Sequence, residues 1–288
     1  MASSVQDHYD TPDLIQAIDT GLAAVQKDPG RIDISDLALV DQLHTGGSRA
    51  TLDLADKIDI LPDWHILDAG CGLGGSSRLL AHTFGCRVTG IDLSPSFIET
   101  ARILTRRTGL SHRVEFQAGS IDDMPWDNDL FTAVLCQHIL MNIENKTAAI
   151  KEIFRVLRPG GILILHEIVM GENTGLALPV PWADRADISF LASWETLAAC
   201  CSDSGFVLKE MTDVTRTGCR YWQKVRAFAQ KNAPGTRPMG PHLVFSENAL
   251  SFPFTMSDNF ENNRIRLVEA FLKKPYTDTR HPDKHPLQ

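Results

Sequence analysis

The chain predicts an α/β fold: a doubly wound, mostly parallel sheet with a helical cap before it and an extension after it. Three observations predict this. Short apolar runs alternate with helical patterns from about residue 63 onward, the pattern of strands linked by crossover helices. The run Ile162-Leu163-Ile164-Leu165 is continuously apolar, as a strand covered on both faces requires. A glycine-rich turn, Gly70-Cys71-Gly72-Leu73-Gly74-Gly75, stands between a strand pattern and a helix pattern.

The elements follow in order. Thr11-Pro12-Asp13 reads as a helix start, and Leu14, Ile15, Ile18, Leu22 and Val25 recur at helical spacing behind it. DPGRIDISD breaks that helix. Gly46-Gly47 makes a turn, and a second helix runs from about Ser48 to Ile58. WHILDAG is the first strand, and the glycine turn leads into a helix through Ser77–Ala81. CRVTGID is the second strand, followed by a helix with Ser94 as its cap and Pro95 in its first turn. RVEFQAG and LFTAVLCQ are the third and fourth strands. Lys146–Val156 is a helix for which Arg158-Pro159-Gly160-Gly161 reads as the stop signal. GILILHEIVM is the fifth strand. A helix at about Ser193–Ser204 precedes a sixth strand at Phe206-Val207-Leu208. Residues 218–264 read as helix plus loop, and Ile265–Lys273 fits a strand or a helix equally. These patterns divide the chain into a helical cap (1–62), a core (63–215), a C-terminal completion of sheet and pocket (216–275) and a tail (276–288) that has almost nothing to bury and is expected to be disordered.

Composition narrows the function classes. The chain has 288 residues with 43% hydrophobic side chains, enough for a sizeable core, which excludes a disordered or fibrous chain. With 28 Lys+Arg against 36 Asp+Glu, the net charge of −8 disfavours broad binding to nucleic acid. No apolar run reaches the ~20 residues of a membrane span, and MASSVQDHYD lacks the basic and apolar regions of a secretory signal. A cytoplasmic protein without nucleic-acid or membrane partners is expected. None of the six cysteines forms a C-x2-C pair, so no metal site is expected.

The glycine turn carries the chemistry. Gly70, Gly72 and Gly75 satisfy G-x-G-x-x-G, a weak signal alone. Asp68 separates the readings. A carboxylate two residues before the first glycine would repel a pyrophosphate. It suits a ligand bearing an ammonium and a sulfonium, as S-adenosylmethionine does. Asp92 ends the second strand, where an acid accepts hydrogen bonds from both hydroxyls of a ribose.

ILDAGCGLGG, VTGIDLS, GSIDDMPW and FRVLRPGG, in that order and spacing, resemble the class I (seven-stranded, Rossmann-like) S-adenosylmethionine-dependent methyltransferases over roughly residues 60–215. DQLHTGGSRATLDLA, QHILMNI and PVPWADRADISFL are similar to a branch with glycine/sarcosine/dimethylglycine N-methyltransferases and ubiquinone-type C-methyltransferases. The resemblance implies a seven-stranded sheet and S-adenosylmethionine as cofactor. It implies that Asp68, Gly70, Cys71 and Gly72 hold the methionine end, Asp92 the ribose, Leu93 one adenine face, and Ser120 and Ile121 the adenine edge, with Gln137 beneath the sulfonium. The family has an acid where this chain has Ser120, so either Ser120 or Asp122 contacts the adenine amino group. The implied function is methyl transfer to a small-molecule metabolite, to nitrogen before carbon or oxygen, by a monomer or homodimer.

Acceptor-side candidates come from strand ends and from segments that cover the pocket. They are His138 after the fourth strand, His44 in the cap and Glu167 at the end of the fifth strand as catalytic groups, and Tyr9, Trp182 and Asp184 as substrate contacts. Arg49 is a candidate partner for the methionine carboxylate. Two other classes share the motifs: an NAD-dependent oxidoreductase, against which Asp68 argues, and a non-catalytic adenosyl-binding module.

Overall fold

In the computed structural model, which describes Tyr9, residues 13–232 and residues 237–276, the stretch from residue 13 to the first strand holds three short helices. They are α1 (Leu14–Ala24), α2 (Ile34–Asp41) and α3 (Gly47–Ala55). The proposed start at Thr11-Pro12 lies outside the described residues. Helix α2 sits where the sequence reading had only a chain break. A capping box starts it: Asp33 accepts from the third helical N–H, and Asp36 accepts from the Asp33 N–H at 3.0 Å. The segment is short and weakly amphipathic, so its period was not visible.

The core alternates as expected: β1 (His65–Ala69), α4 (Gly75–Phe84), β2 (Arg87–Asp92), α5 (Pro95–Arg107), β3 (Val114–Ala118), β4 (Phe131–Gln137), α6 (Lys146–Val156) and β5 (Leu157–Met170). The caps are side-chain oxygens, with Ser94 accepting from the Phe97 N–H at 3.3 Å and Asn145 from the Ala148 N–H at 3.1 Å. RPGG does not form a free stop. It is the first part of β5, where pairing with β4 shifts register between Phe131 and Ala133. The chain continues through α7 (Trp194–Asp203), β6 (Val207–Asp213), α8 (Thr215–Lys231), α9 (His242–Phe245) and α10 (Phe252–Glu261) to β7 (Ile265–Lys273).

The seven strands form one sheet in the order β3-β2-β1-β4-β5-β7-β6. The first five are parallel, and β7 inserts antiparallel between β5 and β6. Ile265–Lys273 is therefore a strand, and its ambiguous period follows from its position: from Leu267 to Leu272 both faces are buried. The order turns back beside β1, so the carboxyl ends of β1, β2 and β4 open onto one crevice, the usual ligand position in such sheets.

Three apolar clusters hold the molecule together. Two flank the sheet. The third joins the cap to the C-terminal segment: Leu14, Ile18, Leu22, Leu37 and Val40 pack with Trp182, Trp222, Phe245, Phe252 and Phe260. The cap helices and the C-terminal segment thus share one core. Among the described residues no helix is long and apolar enough to cross a membrane.

Candidate functional site

The crevice at the strand ends is a cavity lined by residues from the glycine loop, the strand termini, the cap and the segment after β5. On the loop side, Gly70 N–H and Cys71 N–H donate to the Ile91 carbonyl at 2.8 and 3.0 Å, folding the loop back onto β2. Gly70 has φ +76° and its α-carbon lies against Ile139, so that an added Cβ would sit 1.9 Å from that side chain. Gly72, with φ +52°, has nothing within 4 Å of an added Cβ and borders the cavity. The loop thus leaves a cradle that any side chain at Gly72 would fill.

Two carboxylates stand beside this cradle. Asp68, 3% exposed, accepts from Ser77 Oγ at 2.6 Å, and burial pushes its carboxyl up to about 6. Asp92 accepts from the Gly72 N–H at 2.8 Å and the Ser94 N–H at 3.0 Å, and burial raises its carboxyl as well. Leu93, Ser120 and Ile121 continue the wall beyond Asp92. Ser120 Oγ donates to the Asp122 carboxylate, and Asp122 is exposed. Cys71 lines the cavity as a buried thiol that burial holds protonated. A ligand with an ammonium, a ribose and an adenine fits this donor set: a carboxylate beside an open glycine cradle, a second carboxylate one strand away, and apolar Leu93 and Ile121 beyond. Asp68, Gly72 and Asp92 would hold S-adenosylmethionine here.

Gln137 ends β4 and anchors a polar network. Its Oε1 accepts from Thr51 Oγ1 at 2.9 Å and Ser76 Oγ at 3.0 Å, and its Nε2 lies 3.4 Å from His166 Nδ1. His44 Nε2 is 3.0 Å from the Gly47 carbonyl and 3.1 Å from Thr51 Oγ1. Three imidazoles gather around this network, with centroids 6.2 Å apart for His44–His138, 6.1 Å for His44–His166 and 5.1 Å for His138–His166. Burial pushes His44 down to about 4 and His166 to about 3, and His138 falls well below the usual histidine range. All three are neutral at physiological pH. His138 also has φ +55°, a conformation that costs a non-glycine residue energy. Its N–H donates to the His166 carbonyl at 2.9 Å.

The cap and the C-terminal segment complete the wall. Asn142 Nδ2 donates to the Tyr9 hydroxyl at 3.2 Å, and the Tyr9 ring packs edge-on against Phe97 and Phe245, each with centroids 5.9 Å away. Trp182 is buried, borders the cavity and donates Nε1–H to Ser189 Oγ at 2.9 Å. Among the buried side-chain atoms without a hydrogen-bond partner are Asp41 Oδ1, His138 Nε2 and Asn142 Oδ1, all from residues lining this cavity.

Of the residues singled out in the sequence, Tyr9, His44, Asp68, Gly70, Cys71, Gly72, Asp92, Leu93, Ser120, Ile121, Gln137, His138 and Trp182 border the one cavity. Glu167 does not. It is fully buried, and its carboxylate accepts from the Ile139 and Leu140 N–H groups at 3.1 Å, holding the loop after β4. That use of its oxygens places Glu167, expected among the catalytic groups, outside the cavity lining. Asp184 is exposed and outside the lining, because the turn at Val180–Ala183 points Trp182, not Asp184, into the core. Arg49 is 79% exposed and paired with Asp53 at 2.7 Å, one helical turn on, so it is not placed to hold a methionine carboxylate. The sequence reading missed Asp41, Met141, Asn142 and Phe245. Asp41 and Asn142 lay inside motifs already singled out. Phe245 had no signal, since only tertiary packing brings it here. Among the described residues no group of His, Cys, Asp and Glu is arranged to hold a metal ion.

A family model described as a methyltransferase domain matches residues 67–165. The chain is 31% identical over 172 residues to the glycine/sarcosine/dimethylglycine N-methyltransferase of Actinopolyspora halophila, covering 60% of this chain and 29% of that protein. It is 29% identical over 181 residues to the sarcosine/dimethylglycine N-methyltransferase of Halorhodospira halochloris, covering 62% of this chain and 65% of that protein. The chain thus spans less than two thirds of the length of either relative. The solved structure of the [4+2]-cyclase SpnF shares the fold with a TM-score of 0.68 at 23% identity, covering 96% of this chain and 97% of that one.

Proposed function

We propose, from the premise that this chain carries a class I S-adenosylmethionine-dependent methyltransferase domain, that it methylates a small molecule bound in the cavity above β4. One observation carries the reading. The cofactor-type wall (Asp68, Gly72, Asp92, Ile121) and a second wall of His138, Asn142, Tyr9 and Trp182 line the same cavity. The fold alone does not decide it, because the solved structure reported above is named a cyclase.

When bound, S-adenosylmethionine supplies a methyl group on a sulfonium, which departs as a thioether as the acceptor's new bond forms. The protein's part is alignment and exclusion of water. Asp68 holds the ammonium and Asp92 the ribose hydroxyls. Gln137, fixed by Thr51 and Ser76, sets the floor at the end of β4. Tyr9, Phe97, Trp182 and Phe245 close the roof and exclude water. An acceptor that reacts through N–H or O–H must lose a proton. His138, with an unpartnered Nε2, is placed to accept its hydrogen bond and takes the proton only as methyl transfer makes the acceptor acidic, because burial keeps the imidazole a weak base. His44 supports the same network, and both relatives reported above are named for nitrogen acceptors, which favours nitrogen here.

The test is calorimetric titration with S-adenosylmethionine, followed by mass spectrometry of a metabolite extract incubated with the protein and labelled cofactor. Asp92→Ala removes charged hydrogen bonds of about 1.5–3 kcal/mol each, so the Kd should rise at least tenfold. An unchanged Kd, or no binding by the unsubstituted chain at millimolar cofactor, rejects the reading.

A further inference from the structure

The part of the cavity away from the cofactor wall has a distinct chemistry. Its side chains include Leu43, Met141, Ile143, Pro181, Trp182 and Phe245. Among the described residues, the lining contains no lysine or arginine. Residues 1–12, which precede α1, contain none either. The basic side chains adjoining the walls are already engaged. Arg78 is bound by Asp41, the Leu73 carbonyl and Thr105. Lys146 donates to the Ile143 and Phe190 carbonyls at 2.7 and 2.5 Å. Lys57 donates to Glu269 at 2.6 Å. Burial disfavours charge on the histidines, and the acidic groups on the cofactor side that lack a cationic partner, Asp68 and Asp92, oppose an anion in the same space, Asp41 being offset by Arg78. An acceptor bearing a phosphate or carboxylate would be desolvated here without a counter-charge.

What the wall does offer is hydrogen-bond capacity. His138 Nε2 and Asn142 Oδ1 are buried without partners, and a buried polar atom with no partner in the free protein is the place where a ligand restores one. Asn142 Oδ1, a carbonyl oxygen, can only accept, and the Nδ2 of the same amide donates to Tyr9. His138 Nε2 accepts when the proton sits on Nδ1.

We propose that the methyl acceptor is an uncharged molecule with an apolar body, whose O–H or N–H donates to His138 Nε2 or Asn142 Oδ1. This rests on the methyltransferase reading and narrows it: the amino acid acceptors for which the two relatives are named carry a carboxylate, and among the described residues the lining has no lysine or arginine to pair with one.

The experiment uses the full chain saturated with S-adenosylhomocysteine, so that cofactor binding is measured first and separately. Failure of that titration rejects the methyltransferase reading itself. Four probes on one ring are then titrated: 2-naphthol and 2-naphthylamine as neutral donors, 2-naphthyl phosphate and 2-naphthoate as anions. The expected result is binding of at least one neutral donor tenfold or more tighter than either anion. His138→Phe and Asn142→Leu should each weaken the neutral probe and leave S-adenosylhomocysteine binding within about threefold. Ile143→Lys, at a half-buried position on the same wall, should move the preference toward 2-naphthyl phosphate, with its melting curve checking that it is folded. A ratio under tenfold, including no binding of either neutral donor, overturns the proposal. So does wild-type-like binding of the neutral probe by both wall variants.

Discussion

At the scale of single residues, the wall proposed to hold the cofactor is legible because its signals are local. Asp68, Gly70 and Gly72 lie within five residues, and Asp92 ends the next strand, so spacing alone brought them together. The acceptor wall was not legible in the same way. Tyr9 and Asn142 are 133 positions apart and meet only through the fold. The same local chemistry predicts a pH dependence. Asp68 titrates at about 6 because burial opposes its charge. An ammonium-bearing ligand binds its ionised form, so affinity is full above that value and falls as pH drops through it. Calorimetry should find the Kd of S-adenosylmethionine level near pH 7.5 and rising by up to tenfold per unit below about pH 6. In Asp68→Asn the affinity should be low throughout and this slope reduced. A Kd that stays flat from pH 5 to 7.5 in the unsubstituted chain removes Asp68 from the ammonium site.

At the scale of elements, strands and long helices followed from apolar period, whereas pieces fixed by neighbours did not. Helix α2 is set by a capping box and by the burial of Leu37 and Val40 under the C-terminal segment. The RPGG segment bulges out of register with β4, between the Phe131–Leu157 and Ala133–Ile162 pairs, and is held from the β7 side, where Gly160 N–H donates to the Lys274 carbonyl and Lys274 N–H to the Gly161 carbonyl. The loop after β4 is another such piece. It carries His138, Ile139, Met141 and Asn142 into the cavity, and Glu167 of β5 holds it by two backbone N–H groups. Burial pushes Glu167 up to about 8, consistent with a group kept for its hydrogen bonds rather than its charge. Glu167→Ala strands both N–H groups, at roughly 1–3 kcal/mol each, so chemical denaturation should show a loss of about 2–6 kcal/mol. Glu167→Gln, which keeps an acceptor oxygen, should lose less than half of that and retain turnover. A Glu167→Ala protein of full stability but without turnover would return Glu167 to a catalytic role.

At the scale of the whole molecule, the cap and core are joined where the cofactor loop turns into α4. Arg78 of α4 is fully buried and donates to Asp41 at the end of α2 at 2.8 Å, to the Leu73 carbonyl at 2.6 Å and to Thr105 of α5 at 3.0 Å. One side chain therefore ties the lid, the glycine loop and the next helix together. The sequence did not disclose it, since an arginine on a helix is ordinarily a solvated one. Burying the pair is not itself a source of stability, because desolvation offsets the attraction. Breaking it is different. Arg78→Met leaves Asp41 buried and uncompensated, a loss of about 3–5 kcal/mol, or roughly 10 °C in Tm at about 2–4 °C per kcal/mol. Burial already raises the Asp41 carboxyl, and loss of the guanidinium raises it further. The folded variant then binds a proton that the unfolded chain releases above about pH 4. Its deficit should be largest near pH 8 and shrink toward pH 5. Asp41→Leu combined with Arg78→Met removes the stranded charge and should melt above the single variant. Calorimetric melting of the three proteins at both pH values checks this. If the double variant melts no higher than Arg78→Met, or the deficit grows toward pH 5, the pair is not the joint between cap and core.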